Sequence, residues 1–189
     1  MPLRIVAGSA RGRMLLGPKS SRIRPTADRV RESIFNILGQ SMDGKAVLDL
    51  YAGTGALSFE ALSRGAKSAV LVDNGREAVR LCLSNAAALG FDQQVRVLAM
   101  PVKRALSQLR SEKQVFDLIF ADPPYGREMA IAVLEELSAS ELLAPGGTLC
   151  IEHDKREVLP PQLESVIRVD TRRFGDTAVS FFRTSLTTP

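Results

Sequence analysis

The sequence has only two cysteines, one histidine and no long apolar run, and these shortages exclude several classes of protein. Cys82 and Cys150 lie far apart, and neither belongs to a C-x-x-C motif or a Cys/His cluster. We therefore expect two free, buried thiols in a reducing compartment, with no disulfide and no metal site. No apolar stretch approaches the ~18 residues of a membrane span, so we expect no membrane partner. The opening MPLRIVAG does not resemble a signal peptide, which favours a cytoplasmic protein.

Acidic residues are nearly missing from the first 31 positions, which contain one acid, Asp28, and eight basic residues. That segment has a net charge of +7, whereas the other 158 residues carry 17 basic and 20 acidic groups, a balance of −3. Positive charge concentrated in this way is typical of a segment that meets phosphates. A basic arm that only improves solubility is the alternative.

The order of apolar segments predicts an α/β protein. Residues 1–40 are predicted to form a small extension: a β-hairpin over residues 4–16 and a helix that starts after the cap Thr26 and ends near Gly39. In residues 41–189, strands predicted at 47–51, 68–73, 95–100, 116–121 and 148–152 alternate with helices, which favours a parallel, doubly wound sheet. Two further strands, at 166–174 and 178–183, are predicted to form an antiparallel hairpin. We expect one compact unit.

The helix predicted at 76–89 has an apolar stripe that should face the core. The stripe consists of Val79, Cys82, Leu83, Ala86 and Leu89.

The stretch VLDLYAGTG, residues 47–55, predicts a buried strand that enters a glycine loop at the start of a helix. Gly53 and Gly55 let the backbone approach a ligand, and the N–H groups of the loop should face it. A dinucleotide fingerprint would need a third glycine where this chain has Ser58. Asp49 would repel a pyrophosphate but attract a cation, and Asp73 ends the next strand, where an acid binds ribose hydroxyls. S-adenosylmethionine fits this pattern better than NAD, which remains the alternative, as does a glycine turn without a ligand.

The tetrapeptide Asp122-Pro123-Pro124-Tyr125 follows the fourth predicted strand and suits transfer of a methyl group to the exocyclic amine of a base. The Asp122 carboxylate and the Pro123 carbonyl can accept the two N–H bonds of such an amine and orient it for attack. Tyr125 offers a ring on which the base can stack. The alternative is a loop that an acid and two prolines merely interrupt. His153, at the end of the fifth predicted strand, is expected to be a bystander.

Several motifs resemble a known family. DLYAGTG is similar to the cofactor loop of class I S-adenosylmethionine-dependent methyltransferases, and DPPY resembles their signature for methylation of amino groups on bases. RIVAGSARGRML, RPTADRVRESIFNIL and FGDTAVSFF resemble the RsmD-type 16S ribosomal RNA guanine-N2 methyltransferases over nearly the whole chain.

This resemblance implies a Rossmann-like, mostly parallel sheet of seven strands whose last strand is antiparallel. It implies methylation of a guanine, at rRNA position 966, in small ribosomal subunits that are assembled or assembling. The product would be S-adenosylhomocysteine, no metal would be needed, and a monomer is expected.

The resemblance also implies roles for individual residues. The residues implied in catalysis are Asp122, Pro123 and Tyr125. Those implied in cofactor binding are Asp49, Ala52, Gly53, Thr54, Gly55, Asp73, Asn74, Met100 and Pro101. The arginines implied in RNA binding are Arg4, Arg11, Arg13, Arg24 and Arg29.

One position departs from the family pattern. Many relatives have an acid after the third strand that accepts the adenine amine, whereas this chain has Met100-Pro101. Adenine would then depend on backbone and apolar contacts, or on Asn74. Three alternatives remain open: a DNA adenine-N6 methyltransferase, a non-catalytic RNA-binding assembly factor and an NAD oxidoreductase.

Overall fold

The structure, a computed structural model, describes residues 3–18, 28–124 and 129–184. The chain forms two compact units, Met1–Ala105 and Leu106–Pro189. The predicted boundary at residue 40 separates an N-terminal extension from the core, whereas this boundary divides the core itself. The predicted boundary therefore stays a prediction. The predicted cap of the first helix, Thr26, lies outside the described residues.

The first unit is built on a parallel sheet with the strand order β3-β2-β1. Its elements are α1 (Asp28–Leu38), β1 (Ala46–Leu50), α2 (Ala56–Ser63), β2 (Ser68–Asp73), α3 (Arg76–Leu89), β3 (Val95–Ala99) and the start of α4 (Val102–Ser111). All five residues of β1 are buried, as expected of a parallel strand that is covered on both faces. The register Asp49↔Leu71 and Asp73↔Ala99 brings the carboxyl ends of the three strands to one edge.

The second unit has the strand order β4-β5-β8-β7-β6. Its elements are β4 (Phe116–Ala121), α5 (Met129–Ser138), β5 (Leu143–Asp154), β6 (Gln162–Leu163), β7 (Val166–Phe174) and β8 (Thr177–Thr184). β4 and β5 are parallel, and the pairs β5–β8, β8–β7 and β7–β6 are antiparallel. The predicted α/β class, with parallel strands first and an antiparallel end, is confirmed.

The predicted number of seven strands is wrong, because the described residues contain eight. The additional strand, β6, has two residues and pairs with the start of β7. Two residues are too few to show the alternation by which a strand is predicted. β5 also begins at Leu143, before Pro145-Gly146-Gly147, because an irregularity between Phe116 and Leu118 in β4 accommodates that segment within the pairing.

Residues 3–16, which we call the arm, pair with each other as the predicted hairpin requires. The pairing consists of one antiparallel bridge, Arg4↔Met14, with hydrogen bonds from Ile5 N–H to Arg13 O and from Leu15 N–H to Leu3 O. The arm lies on α2. The N–H groups of Val6 and Ala7 donate to the buried carboxylate of Glu60 over 2.8 and 3.0 Å.

The buried face of α3 differs from the predicted stripe. It consists of Ala78, Leu81, Cys82, Asn85, Ala86 and Leu89. Leu83 is 55% exposed, so its assignment to the core is wrong. The buried face differs from the predicted one because it includes Asn85, a polar residue that an apolar pattern would skip. Asn85 is fully buried, and backbone carbonyl groups accept the hydrogen bonds of its amide.

Cys82 and Cys150 are free and buried, as predicted. Within residues 3–18, 28–124 and 129–184, every helix is too short or too polar to span a bilayer.

Candidate functional site

The loop after β1 turns sharply at three residues with positive φ. Tyr51 has φ 60°, Gly53 has φ 56° and Gly55 has φ 76°. A non-glycine residue in this region is uncommon and costs energy, so the surrounding structure must hold Tyr51 in place. Two backbone hydrogen bonds do so around it, from Ala52 N–H to Val72 O and from Gly55 N–H to Ala52 O. The loop therefore has a fixed shape at the carboxyl edge of the sheet.

Asp73 joins this loop to the next one. Its carboxylate accepts the N–H of Gly53 over 3.0 Å and the N–H of Gly75 over 2.8 Å. The N–H of Gly53 is consequently engaged by protein, and our expectation that it faces a ligand needs correction. Each carboxylate oxygen keeps a lone pair, and Asp73 is only half-buried, so it retains the capacity to accept hydroxyl groups.

Asp49 is a buried acid beside the same loop. It is 4% exposed, and its carboxylate accepts the hydroxyl of Ser58 over 2.8 Å. Burial raises its pKa to about 7; the hydrogen bonds from Ser58 oppose that rise, and the charge of Asp73 adds to it. Asp49 is therefore poised between its neutral and charged forms near neutral pH, and a nearby cation would favour the charged form.

α3 holds the carbonyl groups of the loop. The Cys82 thiol donates to Gly53 O over 3.4 Å, and the Asn85 amide donates to Thr54 O over 3.0 Å. Burial raises the pKa of Cys82, and the carboxylates of Asp49 and Asp73 raise it further, so the thiol keeps the proton that it donates.

Gly55 is required by packing. A Cβ on Gly55 would lie 2.5 Å from Phe59 Cε2 and 2.8 Å from Leu71 Cδ2. The glycine thus lets α2 approach β2 closely, which is the role of the third glycine in the dinucleotide fingerprint. Gly55 is itself buried, so this packing explains it without a ligand.

The other predicted cofactor residues lie in the first unit as well. Ala52 and Met100 are half-buried, Thr54 is buried, and Asn74 and Pro101 are exposed. The Pro101 carbonyl accepts the N–H groups of Arg104 and Ala105 at the start of α4, so it is engaged in capping that helix.

These residues fit a nucleoside with a cationic group. Two acids flank the loop, and neither residues 49–55 nor residues 73–75 include a lysine or arginine that would attract a phosphate. Asp73 is oriented by two backbone donors, and the pKa of Asp49 makes its charge responsive to a cation. S-adenosylmethionine, with its sulfonium and ammonium groups, has this chemistry.

In the second unit, Asp122 and Pro123 follow directly after β4. Asp122 is half-buried, Pro123 is buried and Pro124 is exposed. Tyr125 lies outside the described residues. β5 runs parallel to β4 with Ala121 opposite Ile151, so His153 lies at the same end of these strands as Asp122.

His153 is held on both sides of its ring. Nε2 lies 2.9 Å from the hydroxyl of Ser180, and Nδ1 lies 2.9 Å from the Asp154 carbonyl. Burial lowers the pKa of His153, so the ring is neutral at physiological pH. These contacts give the histidine a structural role in joining β5 to β8.

The predicted RNA-binding arginines are exposed where the structure describes them. Arg4, Arg11, Arg13 and Arg29 all have exposed side chains, and Arg24 lies outside the described residues. Arg13 donates to Leu89 O over 3.0 Å and also to Ala88 O, at the C-terminal end of α3. It therefore caps that helix, where a cation also complements the helix dipole.

Sequence reasoning missed Ser58, Glu60, Ser63 and Asn85. All four are buried polar residues whose partners are distant in the chain or on a neighbouring element. The available signal was polarity itself: α2 is otherwise apolar, and a polar residue in a buried helix needs a partner.

Comparisons with known proteins agree with this architecture. Residues 3–183 match the family described as Conserved hypothetical protein 95. The chain is 34% identical over 181 residues to the "Putative rRNA methyltransferase YlbH" of Bacillus subtilis, covering 96% of this chain and 98% of that protein. It is 35% identical over 158 residues to the "Ribosomal RNA small subunit methyltransferase D" of Escherichia coli, covering 84% and 78%. The solved "Putative methyltransferase yhhF from Escherichia coli" superposes with a TM-score of 0.84 at 29% identity, covering 98% and 99%.

Proposed function

Because this chain belongs to the Conserved hypothetical protein 95 family, which confirms its RsmD-type resemblance, we propose that it methylates ribosomal RNA. The reaction is transfer of a methyl group from S-adenosylmethionine to the exocyclic N2 amine of a guanine in the 16S rRNA of the small subunit, at position 966. The observation that carries this proposal is the similarity to two named rRNA methyltransferases over most of both chains.

The glycine loop and its two acids are the proposed donor site. S-adenosylmethionine, when bound, supplies an electrophilic methyl group on a sulfonium. Asp73 accepts the ribose hydroxyls, since two backbone N–H groups already orient its carboxylate. Asp49 supplies negative charge for the cationic part of the donor, and residues 52–55 provide the backbone that surrounds it. Asn74, Met100 and Pro101 are proposed to contact adenine.

Asp122, Pro123 and Tyr125 are the proposed acceptor residues. The amine of guanine is a weak nucleophile because its lone pair is delocalised into the ring. The Asp122 carboxylate and the Pro123 carbonyl accept its N–H bonds and orient the lone pair for attack, while Tyr125 stacks on the base. Alignment supplies most of the rate, and Asp122 need not be a strong base.

The arm and α1 are proposed to bind RNA through Arg4, Arg11, Arg13 and Arg29, together with Arg24. Arg4, Arg11, Arg13 and Arg29 have exposed side chains in the described part of the basic segment, and phosphate contacts supply most of the affinity for a nucleic acid. A guanine in a loop is the expected target because it costs less to extrude than a base in a duplex. The protein is proposed to act as a monomer in the cytoplasm on assembled or assembling subunits.

Transfer of tritiated methyl groups to small subunits from a strain lacking this gene tests the proposal. The wild-type chain should label 16S rRNA, and mass spectrometry should locate one N2-methylguanine. Asp122→Asn should reduce the rate by about 100-fold, because it misaligns the amine. Asp92→Asn, an exposed acid in the turn Asp92–Gln94, is the matched control and should leave the rate unchanged.

Other outcomes separate the alternatives. Label in duplex DNA would favour a DNA adenine methyltransferase, and subunit binding without label would favour an assembly factor. Calorimetry that detects NADH binding but no S-adenosylhomocysteine binding would favour an oxidoreductase.

A further inference from the structure

Asn85 forms hydrogen bonds with both the arm and the glycine loop. Its Nδ2 donates to Thr54 O over 3.0 Å and to Leu16 O over 3.1 Å, and its Oδ1 accepts the N–H of Leu16 over 2.7 Å. The side chain is completely buried. One planar amide therefore sets the distance between two backbone segments that are separated by more than thirty residues in the sequence.

The contact to Thr54 is one of two hydrogen bonds from α3 side chains to the glycine loop. Cys82, one helical turn before Asn85, donates to the neighbouring carbonyl of Gly53. Asp73, at the end of β2, accepts the N–H of the same glycine. Three side chains thus hold the backbone of Gly53 and Thr54 by hydrogen bonds. Of the three, Asn85 also bonds to the arm.

The contact to Leu16 is one of several hydrogen bonds that join the arm to α2 and α3. Ser63 of α2 accepts the N–H of Ala10 and donates to Ala7 O, and Arg13 caps the end of α3. The arm thus rests on α2 and α3, the helices that follow β1 and β2. These two strands carry Asp49 and Asp73, the acids of the proposed S-adenosylmethionine site. A shift of the arm on α3 would move Leu16, and Asn85 would transmit that shift to Thr54.

We propose that Asn85 is a positioning residue that couples the arm to the glycine loop, so that donor binding and RNA binding strengthen each other. The inference rests on the proposed function, because it assigns the donor to the loop and RNA to the arm. When S-adenosylmethionine binds and holds the backbone of Thr54 in place, Asn85 and Leu16 are held in place as well. The arm then binds RNA at a smaller cost in conformational entropy. Such coupling is reciprocal by thermodynamic necessity.

Hydrogen exchange of the arm on addition of S-adenosylhomocysteine tests this without any RNA. The informative amides are those of Ile5, Gly12, Leu15 and Leu16, all of which donate hydrogen bonds. In the wild-type chain, saturating S-adenosylhomocysteine should slow their exchange by about 5-fold or more, the lower end of ordinary coupling. In Asn85→Asp this protection should disappear, because a carboxylate presents an oxygen to the carbonyls of Thr54 and Leu16.

The matched control is Asn36→Asp, the same change at an exposed position of α1. It should keep the full protection. Asn85→Asp should also weaken S-adenosylhomocysteine binding by about 10-fold in calorimetry, since the loop loses one of its holding contacts. If Asn85→Asp fails to fold, Leu16→Pro carries the test, because proline has no N–H for Asn85 Oδ1 to accept and residue 16 is half exposed. At the three remaining amides, those of Ile5, Gly12 and Leu15, this variant should show no protection by the ligand, while ligand affinity changes less than about 2-fold.

The outcomes are distinguishable. Binding of S-adenosylhomocysteine to the wild-type chain without protection of the arm would overturn the coupling and leave the proposed function intact. Protection that persists in Asn85→Asp, or in Leu16→Pro where that variant carries the test, would overturn the role of Asn85. Absence of S-adenosylhomocysteine binding to the wild-type chain would remove the donor assignment itself, and the coupling with it.

Discussion

The hydroxyl of Ser58, in the first turn of α2, donates to the buried carboxylate of Asp49 over 2.8 Å. This bond supports a charge that burial opposes, and the balance leaves the pKa of Asp49 at about 7. The protein therefore keeps an acid beside its glycine loop that is largely protonated below neutral pH. A cationic ligand would find its counter-charge there only after that proton has left.

The stability of the unliganded protein should depend on pH through Asp49. Its pKa is higher in the folded state than in the unfolded chain, so its contribution to stability is complete below about pH 4 and is lost as pH rises to about 7. One proton difference lowers the free energy of unfolding by about 1.4 kcal/mol for each pH unit in that window. Asp49→Asn should remove this slope, as urea unfolding at several pH values would show. Parallel curves for wild type and Asp49→Asn would contradict the prediction, and Asp92→Asn serves as the exposed control.

Donor binding should show the opposite trend. Because a cation prefers the ionised form of Asp49, the affinity for S-adenosylmethionine should rise between about pH 6 and pH 8. Asp49→Asn should bind more weakly, and its affinity should be nearly flat across the same range. Titration calorimetry in two buffers of different ionisation enthalpy would detect the released proton. No proton release from the wild-type chain would argue against a direct role for Asp49.

Gly8 and Gly12 form a matched pair for testing how the arm is docked. Both have positive φ, 82° and 81°, so both substitutions to alanine carry similar backbone strain. A Cβ on Gly8 would lie 1.8 Å from Ser63 O, whereas a Cβ on Gly12 would meet nothing within 4 Å. Gly8→Ala should therefore displace the arm from α2 and expose it to proteolysis, while Gly12→Ala should cost only about 1 kcal/mol. Equal protection of the arm in the two variants would contradict this docking.

Glu60 should be a major contributor to the stability of the first unit. Its fully buried carboxylate accepts two N–H groups of the arm and pairs with Arg64 over 2.8 Å, and Arg64 also lies over the ring of Phe35. Glu60→Gln leaves Arg64 buried without its counter-charge and should lower the free energy of unfolding by about 3 kcal/mol. Glu112→Gln, at an exposed site on the chain, should change it by less than about 0.5 kcal/mol. Urea denaturation of both variants gives the comparison.

Arg11 and Arg13 should differ in stability but not in their effect on RNA binding. Arg13→Ala removes a cap of α3 and should cost about 1 kcal/mol of stability, whereas Arg11→Ala should cost almost nothing. If both side chains meet phosphates, each substitution should reduce the slope of log affinity against log salt by about 1. Arg13 has further N–H donors, so capping does not prevent a phosphate contact. A salt slope that Arg13→Ala leaves unchanged would assign Arg13 to the helix end alone.

The segments that were predicted correctly are those whose local pattern is strong. β2 and α3 begin and end where the sequence placed them, because a continuous apolar run defines β2 and Gly75 and Gly90 flank α3. β6 and the start of β5 were missed, because pairing with a neighbouring strand rather than local pattern creates them. Leu83 was wrongly assigned to the core and Asn85 was overlooked, because the prediction relied on polarity alone. In the folded helix, a polar side chain can be buried when it finds hydrogen-bond partners.

The amino-acid sequence alone determined the class of the fold, the glycine loop with its two acids and the family to which the chain belongs. These depend on residue type and on spacing along the chain, which are local properties. Only the tertiary structure decided what Glu60, Ser63 and Asn85 do, since each bonds to backbone groups dozens of residues away. A buried polar side chain takes its role from the donors and acceptors that folding brings to it, and no pattern within its own helix identifies them.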